Sequence, residues 1–124
     1  MIRLIQKKLI IPRGDTGTFS VPVLTSFQEG DTAIFSIMDA RTNTNVLQKE
    51  CTYENGNLTI EFTHNDTVNK IPGKYYWDIK IYKDAEFLDG KLINGTEIDS
   101  YYAAYRLPIC EIRQTGDAYL TDSN

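Results

Sequence analysis

The chain has 124 residues, enough for one domain that buries about two thirds of its unfolded surface and too few for two. Its formal charge of −4 is dispersed rather than blocked, so there is no basic footprint for a phosphate backbone and nucleic-acid binding is not expected. Eight Tyr, five Phe and one Trp suit strands, and they also suit surfaces that meet partners.

At the N-terminus, Arg3, Lys7 and Lys8 interrupt Ile2, Leu4, Ile5, Leu9, Ile10 and Ile11. The run is too charged to span a membrane and lacks the apolar stretch and small-residue cleavage site of an export signal, so it reads as a first strand. Pro12 to Gly17 supplies turn residues, and its Arg13-Gly14-Asp15 matches the tripeptide that integrins recognise at a place where a turn is needed in any case. Phe19, Val21 and Val23 then alternate with Thr18, Ser20 and Pro22; a proline cannot donate to a ladder, so this strand is expected to lie at an edge or to begin at a bulge. Gln28 to Asp31 makes the next turn. Thr32 to Met38 is more continuously apolar, as in a central strand covered on both sides.

A polar turn through Asp39 to Asn45 leads to a strand from Val46 to about Tyr53. Asn55-Gly56 favours a type I′ hairpin into Leu58, Ile60 and Phe62. His64 to Gly73 has room for one helical turn before Pro72-Gly73 stops it. In the strand that follows, Tyr75, Trp77, Ile79 and Ile81 alternate with Tyr76, Asp78, Lys80 and Tyr82, the period-two signature of a half-buried sheet. Between Asp84 and Asp99, Asp89-Gly90 and Asn94-Gly95 bracket Leu92-Ile93, which predicts a long functional loop containing a short strand. Ile98 to Leu107 resumes as a Tyr-rich strand whose edge or end Pro108 marks, and residues 115–124 form a polar tail behind a single domain over 1–114.

The elements predict an all-β fold: an immunoglobulin-like antiparallel β-sandwich of about seven to eight strands, with a small barrel as the alternative. Cys51 and Cys110 have the separation of an immunoglobulin bridge. However, Trp77 lies too far beyond Cys51, and Pro108 stands where a tyrosine corner needs Tyr, so free thiols are expected.

Chemistry-bearing residues are sparse. His64 is the sole histidine and reads as a surface loop residue rather than a metal ligand or triad member. Asp84, Glu86, Asp89 and Asp99 do not follow an EF-hand spacing and read as solvated carboxylates; the sequons at Asn57, Asn65 and Asn94 read as chance in an Asn- and Thr-rich chain. No catalytic, cofactor or metal residues are assigned, and an enzyme is not expected.

The order of four segments carries a family resemblance: Ile11-Pro12-Arg13-Gly14-Asp15-Thr16, Gly30-Asp31-Thr32-Ala33-Ile34-Phe35-Ser36-Ile37, Pro72-Gly73-Lys74-Tyr75-Tyr76-Trp77-Asp78-Ile79 and Asp99-Ser100-Tyr101-Tyr102-Ala103-Ala104-Tyr105. The chain resembles small structural proteins of tailed-phage and prophage morphogenesis clusters. Its layout is similar to the immunoglobulin-like N-terminal domain of siphophage baseplate upper proteins, in which a Gly-x-Tyr-x-x-Asp strand precedes a turn and a closing strand. The chain lacks the long C-terminal helical and receptor-facing region of those proteins, so a baseplate, tail or neck component are all within the resemblance.

What the resemblance implies is a non-enzymatic virion component, found in the virion or in the host cytoplasm during assembly. Its expected partners are other phage structural proteins and further copies of itself, with no nucleic acid and no membrane. The candidate protein contacts are Tyr101, Tyr102, Tyr105, Leu92 and Ile93. The alternative is a carbohydrate-binding or adhesion module that takes a glycan on an aromatic platform of Tyr76 and Tyr82.

Overall fold

The computed structural model of the chain describes residues 2–23, 27–39, 41–101 and 109–113. The strands are β1 (Arg3–Ile5), β2 (Lys8–Pro12), β3 (Gly17–Pro22), β4 (Asp31–Asp39), β5 (Thr44–Glu50), β6 (Thr52–Glu54), β7 (Asn57–Phe62), β8 (Gly73–Leu88), β9 (Lys91–Tyr101) and β10 (Ile109–Arg113). One helical turn, α1 (His64–Thr67), occupies the connection before β8. Two sheets make an all-β sandwich. The larger runs β1-β2-β10-β8-β4-β5 with β9 also on β8, and the smaller runs β3-β7-β6. Among the described residues all pairings are antiparallel except β10 with β2, which is parallel and makes the larger sheet mixed.

Among the described residues ten strands stand where seven or eight were expected: two expected strands are each divided, the short loop strand and the start of the Tyr-rich strand are one continuous β9, and β10 falls where no strand was expected. The N-terminal run folds back on itself as β1 and β2. Gln6 and Lys7 take φ of 48° and 73°, the consecutive left-handed pair of a type I′ turn. The Val46 to Tyr53 run bends at Cys51, whose N–H donates to Ala33 O at 2.8 Å, so that β5 closes the larger sheet while β6 joins the smaller one. A strand that changes sheets makes a corner of the sandwich.

Period-two burial fixes the core. Phe19 and Val21 of β3 and Leu58, Ile60 and Phe62 of β7 face Phe35 and Ile37 of β4 and Trp77, Ile79 and Ile81 of β8, all buried. Four rings interlock across the layers: Phe19 lies 5.6 Å from Phe35 and 5.7 Å from Trp77, both edge-on, and Phe62 lies 5.6 Å from Phe35. Pro22 takes its place on β3, the edge of the smaller sheet, and β4 lies between β8 and β5 with unbroken burial from Ala33 to Ile37. Gly56 and Asn55 have positive φ, as the Asn-Gly hairpin requires.

Cys51 is a free, buried thiol. The topology explains why it does not pair with Cys110: Cys110 lies opposite Tyr75 on β8, whereas Cys51 bonds Ala33, which lies opposite Ile81. Six strand residues separate those positions by roughly 20 Å, well beyond the Cα separation of a disulfide. Burial, with the nearby Glu50 carboxylate, pushes the Cys51 thiol up to about 12, so it remains protonated at neutral pH. Alkylation of Cys51 by iodoacetamide, followed by peptide mapping, is expected to proceed only at the rate of unfolding; native-state modification as fast as that of a free thiol would contradict the packing.

Candidate functional site

The last residue of β4 toward one end of the larger sheet, Asp31, pairs with Lys83 of β8. Beyond it, β8 continues to Leu88 and, among the described residues, is paired only with β9, so the two form a ribbon that projects past the sandwich. Asp89 and Gly90, with φ of 52° and 76°, close it as a tight turn, setting Leu88 opposite Lys91 and Phe87 opposite Leu92. Three irregularities bend the ribbon. Ile93 and Ile98 are extra residues on β9, and Asp84-Ala85 on β8 stand against the single Gly95. A Cβ on Gly95 would come within 3.2 Å of the Ala85 backbone, so the close approach of the strands there requires glycine.

The expected long loop is therefore a β-hairpin arm. Asn94-Gly95 is not a turn but lies within β9, where Asn94 Nδ2 donates to Glu86 Oε1 at 3.2 Å. The Asp89-Gly90 reversal sets the register and leaves Asn94 facing Glu86 across the ribbon. The arm brings Leu92, half-buried, and Ile93, 60% exposed, onto one strand with Tyr101, whose backbone pairs with Ile79. Tyr102 and Tyr105 lie outside the described residues. The sequence reading missed Phe87, Leu88 and Ile98, which are 39%, 60% and 49% exposed. Treating Asp89-Gly90 as a hairpin turn, with Phe87 and Leu88 on one flank and Leu92 and Ile93 on the other, is the signal that finds them.

Tyr76, Asp78, Lys80 and Tyr82 are half-buried on the outer face of β8, opposite Met38, Ser36, Ile34 and Thr32 of β4. Six residues along one strand set Tyr76 and Tyr82 roughly 20 Å apart, so the two rings do not form a shared platform for one sugar. Between them Lys80 pairs with Glu97 at 3.3 Å, while Asp78 Oδ1 is buried without a hydrogen-bond partner. Burial raises the Asp78 carboxyl above its ordinary value and Glu97 adds to the rise, with Lys80 acting against it. A carboxyl whose folded pKa is raised is destabilising once pH exceeds its unfolded value of about 3.9 and neutral in effect below it. Asp78→Asn is therefore expected to raise the thermal midpoint at pH 7 and to leave it unchanged near pH 3; a lowered midpoint at pH 7 would count against the reading.

The Arg13-Gly14-Asp15 turn is held from behind by α1. Gly14 N–H donates to Thr67 Oγ1 at 2.8 Å, His64 Nδ1 donates to Gly14 O at 2.7 Å, and Asp15 N–H returns to Pro12 O. The helical turn is fixed in its own right. Asp66 accepts the Thr63 N–H and pairs with Lys49; although burial pushes the Asp66 carboxyl up, these partners outweigh it and hold the group below its usual range. His64 is exposed and positions the turn. Gly14 has φ of 80°, and a Cβ there would meet the His64 ring at 3.1 Å. Gly14→Ala is expected to destabilise the protein by about 1–3 kcal/mol in denaturant melts, with a smaller loss when His64 is also replaced by Ala.

Among the described residues, no group of three or more His, Cys, Asp or Glu side chains is placed to hold a metal ion, and no helix is long and apolar enough to cross a membrane. A scan against protein-family models finds no match, and searches of curated proteins and of solved structures find none either.

Proposed function

We propose that this chain is a non-enzymatic structural subunit that works through protein–protein contacts, with the β8–β9 arm as its contact element. The sequence resemblance suggests the setting, a baseplate, tail or neck component of a phage or prophage virion. The observation that carries the reading is the arm itself. Two strands leave the sandwich together and expose Phe87, Leu88, Ile93 and Ile98, apolar area that contributes nothing to the core. A projecting apolar ribbon gives a neighbouring copy a surface to dock on, and homo-oligomers close most readily by point symmetry. The glycan alternative has less support, because its two tyrosines are half-buried and separated along the strand.

Light scattering over a concentration series is expected to give a defined oligomer. A Phe87→Ser/Leu88→Lys variant is expected to shift it toward monomer while its thermal midpoint stays within a few degrees of the parent, since both residues lie outside the core. A parent chain that stays monomeric into the millimolar range would overturn the reading.

A further inference from the structure

Three dipeptides of the chain carry an Asn or Asp before a glycine and can cyclise to a succinimide: Asn55-Gly56, Asp89-Gly90 and Asn94-Gly95. In each the glycine leaves the attacking backbone nitrogen unshielded. Asn55, Asp89 and Asn94 are all exposed, so access to water does not separate them. Backbone geometry does. Ring closure needs the glycine nitrogen on the same side of the Cα–C bond as the Cβ of the residue before it. Asn55 and Asp89 both have φ of 52°, in the left-handed region, where ψ is about +50° and turns the next nitrogen to the far side.

Asn94 is held the other way, in the extended backbone of β9. The ladder passes from Asn94 opposite Glu86 to Thr96 opposite Lys83 and leaves Gly95 outside the paired positions. The Gly95 N–H donates instead to Asn94 Oδ1 at 2.9 Å. A side chain that accepts from the very next N–H has its Cγ, the atom to be attacked, turned toward that nitrogen. The two then stand roughly 3–3.5 Å apart, the separation of a near-attack arrangement.

We propose that Asn94 is a site of spontaneous deamidation built into the arm. Gly95 N gives up its proton to water and bonds Asn94 Cγ, while the Cγ–Nδ2 bond breaks and the amide nitrogen leaves as ammonia. Water then opens the succinimide at either carbonyl, giving aspartate or isoaspartate with no redox change. The product loses the Nδ2–H that donates to Glu86 Oε1 at 3.2 Å and sets a carboxylate in its place. Like charges then face each other across the ribbon, so the arm of an aged chain is held less firmly than that of a new one. This chemistry is independent of what the arm contacts.

The test incubates the full chain at about pH 8 in water enriched in oxygen-18, which marks every deamidated site, and follows each asparagine by peptide mapping. In the folded chain Asn94 is expected to convert at least about tenfold faster than Asn55, and in concentrated urea the two are expected to convert at comparable rates. Equal conversion of the two in the folded chain, or faster conversion at Asn55, would overturn the assignment. The effect on the arm is read separately. Trypsin cleavage after Lys91 is expected to speed up about severalfold in Asn94→Asp and to fall back when Glu86→Gln is added. Cleavage of Asn94→Asp at the parent's rate would overturn the loosening.

Discussion

The interlock of Phe19 and Phe62 from the smaller sheet with Phe35 and Trp77 from the larger is the contact on which the sandwich depends. The smaller sheet has three strands, one of them only three residues long, and an apolar inner face. The apolar face of β3 and β7 has to be covered, and the rings of β4 and β8 cover it. Edge-to-face packing of this kind adds to area burial and favours one placement of the layers over others. Trp77 also ties the core to the N-terminus: its indole N–H donates to Lys7 O at 2.9 Å, holding the β1–β2 turn in place beside β8.

Strand β8 joins this core to the candidate site. Its first half alternates buried and half-buried residues under the smaller sheet, while its last residues lose that alternation and become exposed as they leave the sheet. One continuous backbone ladder thus runs from the packed core into the arm and carries the exposed residues. The other surface features are held by local bonds. Asp39 grips Arg41 through two guanidinium bonds and a backbone N–H at the β4–β5 turn, and the Gly14 turn is seated on His64 and Thr67. These groups have structural partners, whereas four of the seven exposed large hydrophobic residues among those described, Phe87, Leu88, Ile93 and Ile98, lie on the arm.

At the candidate site, Leu92 and Ile93 were recognisable as an apolar patch between turn residues, but the shape that presents them was not. Two turn signals five residues apart, Asp89-Gly90 and Asn94-Gly95, compete for the same chain reversal. Either is locally acceptable. Asp89-Gly90 wins because β8 is already aligned by nine residue pairs with β4, and the return strand must come back along it.

The sequence by itself determined the strand character of nearly every segment, the inward set Tyr75, Trp77, Ile79 and Ile81, the Asn55-Gly56 hairpin and the restriction of the Pro22 strand to an edge or a bulge. Each follows from local physics: side chains alternate across a strand, paired left-handed residues favour Asn-Gly, and proline has no N–H to give. Tertiary structure alone decided that β10 enters between β2 and β8 and runs parallel to β2, that the chain changes sheets at Cys51, and that β8 outruns its sheet to form an arm. Those outcomes depend on which distant segments share a ladder. An alternating pattern states which face of a strand is apolar but not which neighbour will cover it, so the choice is made only when the whole core is buried together.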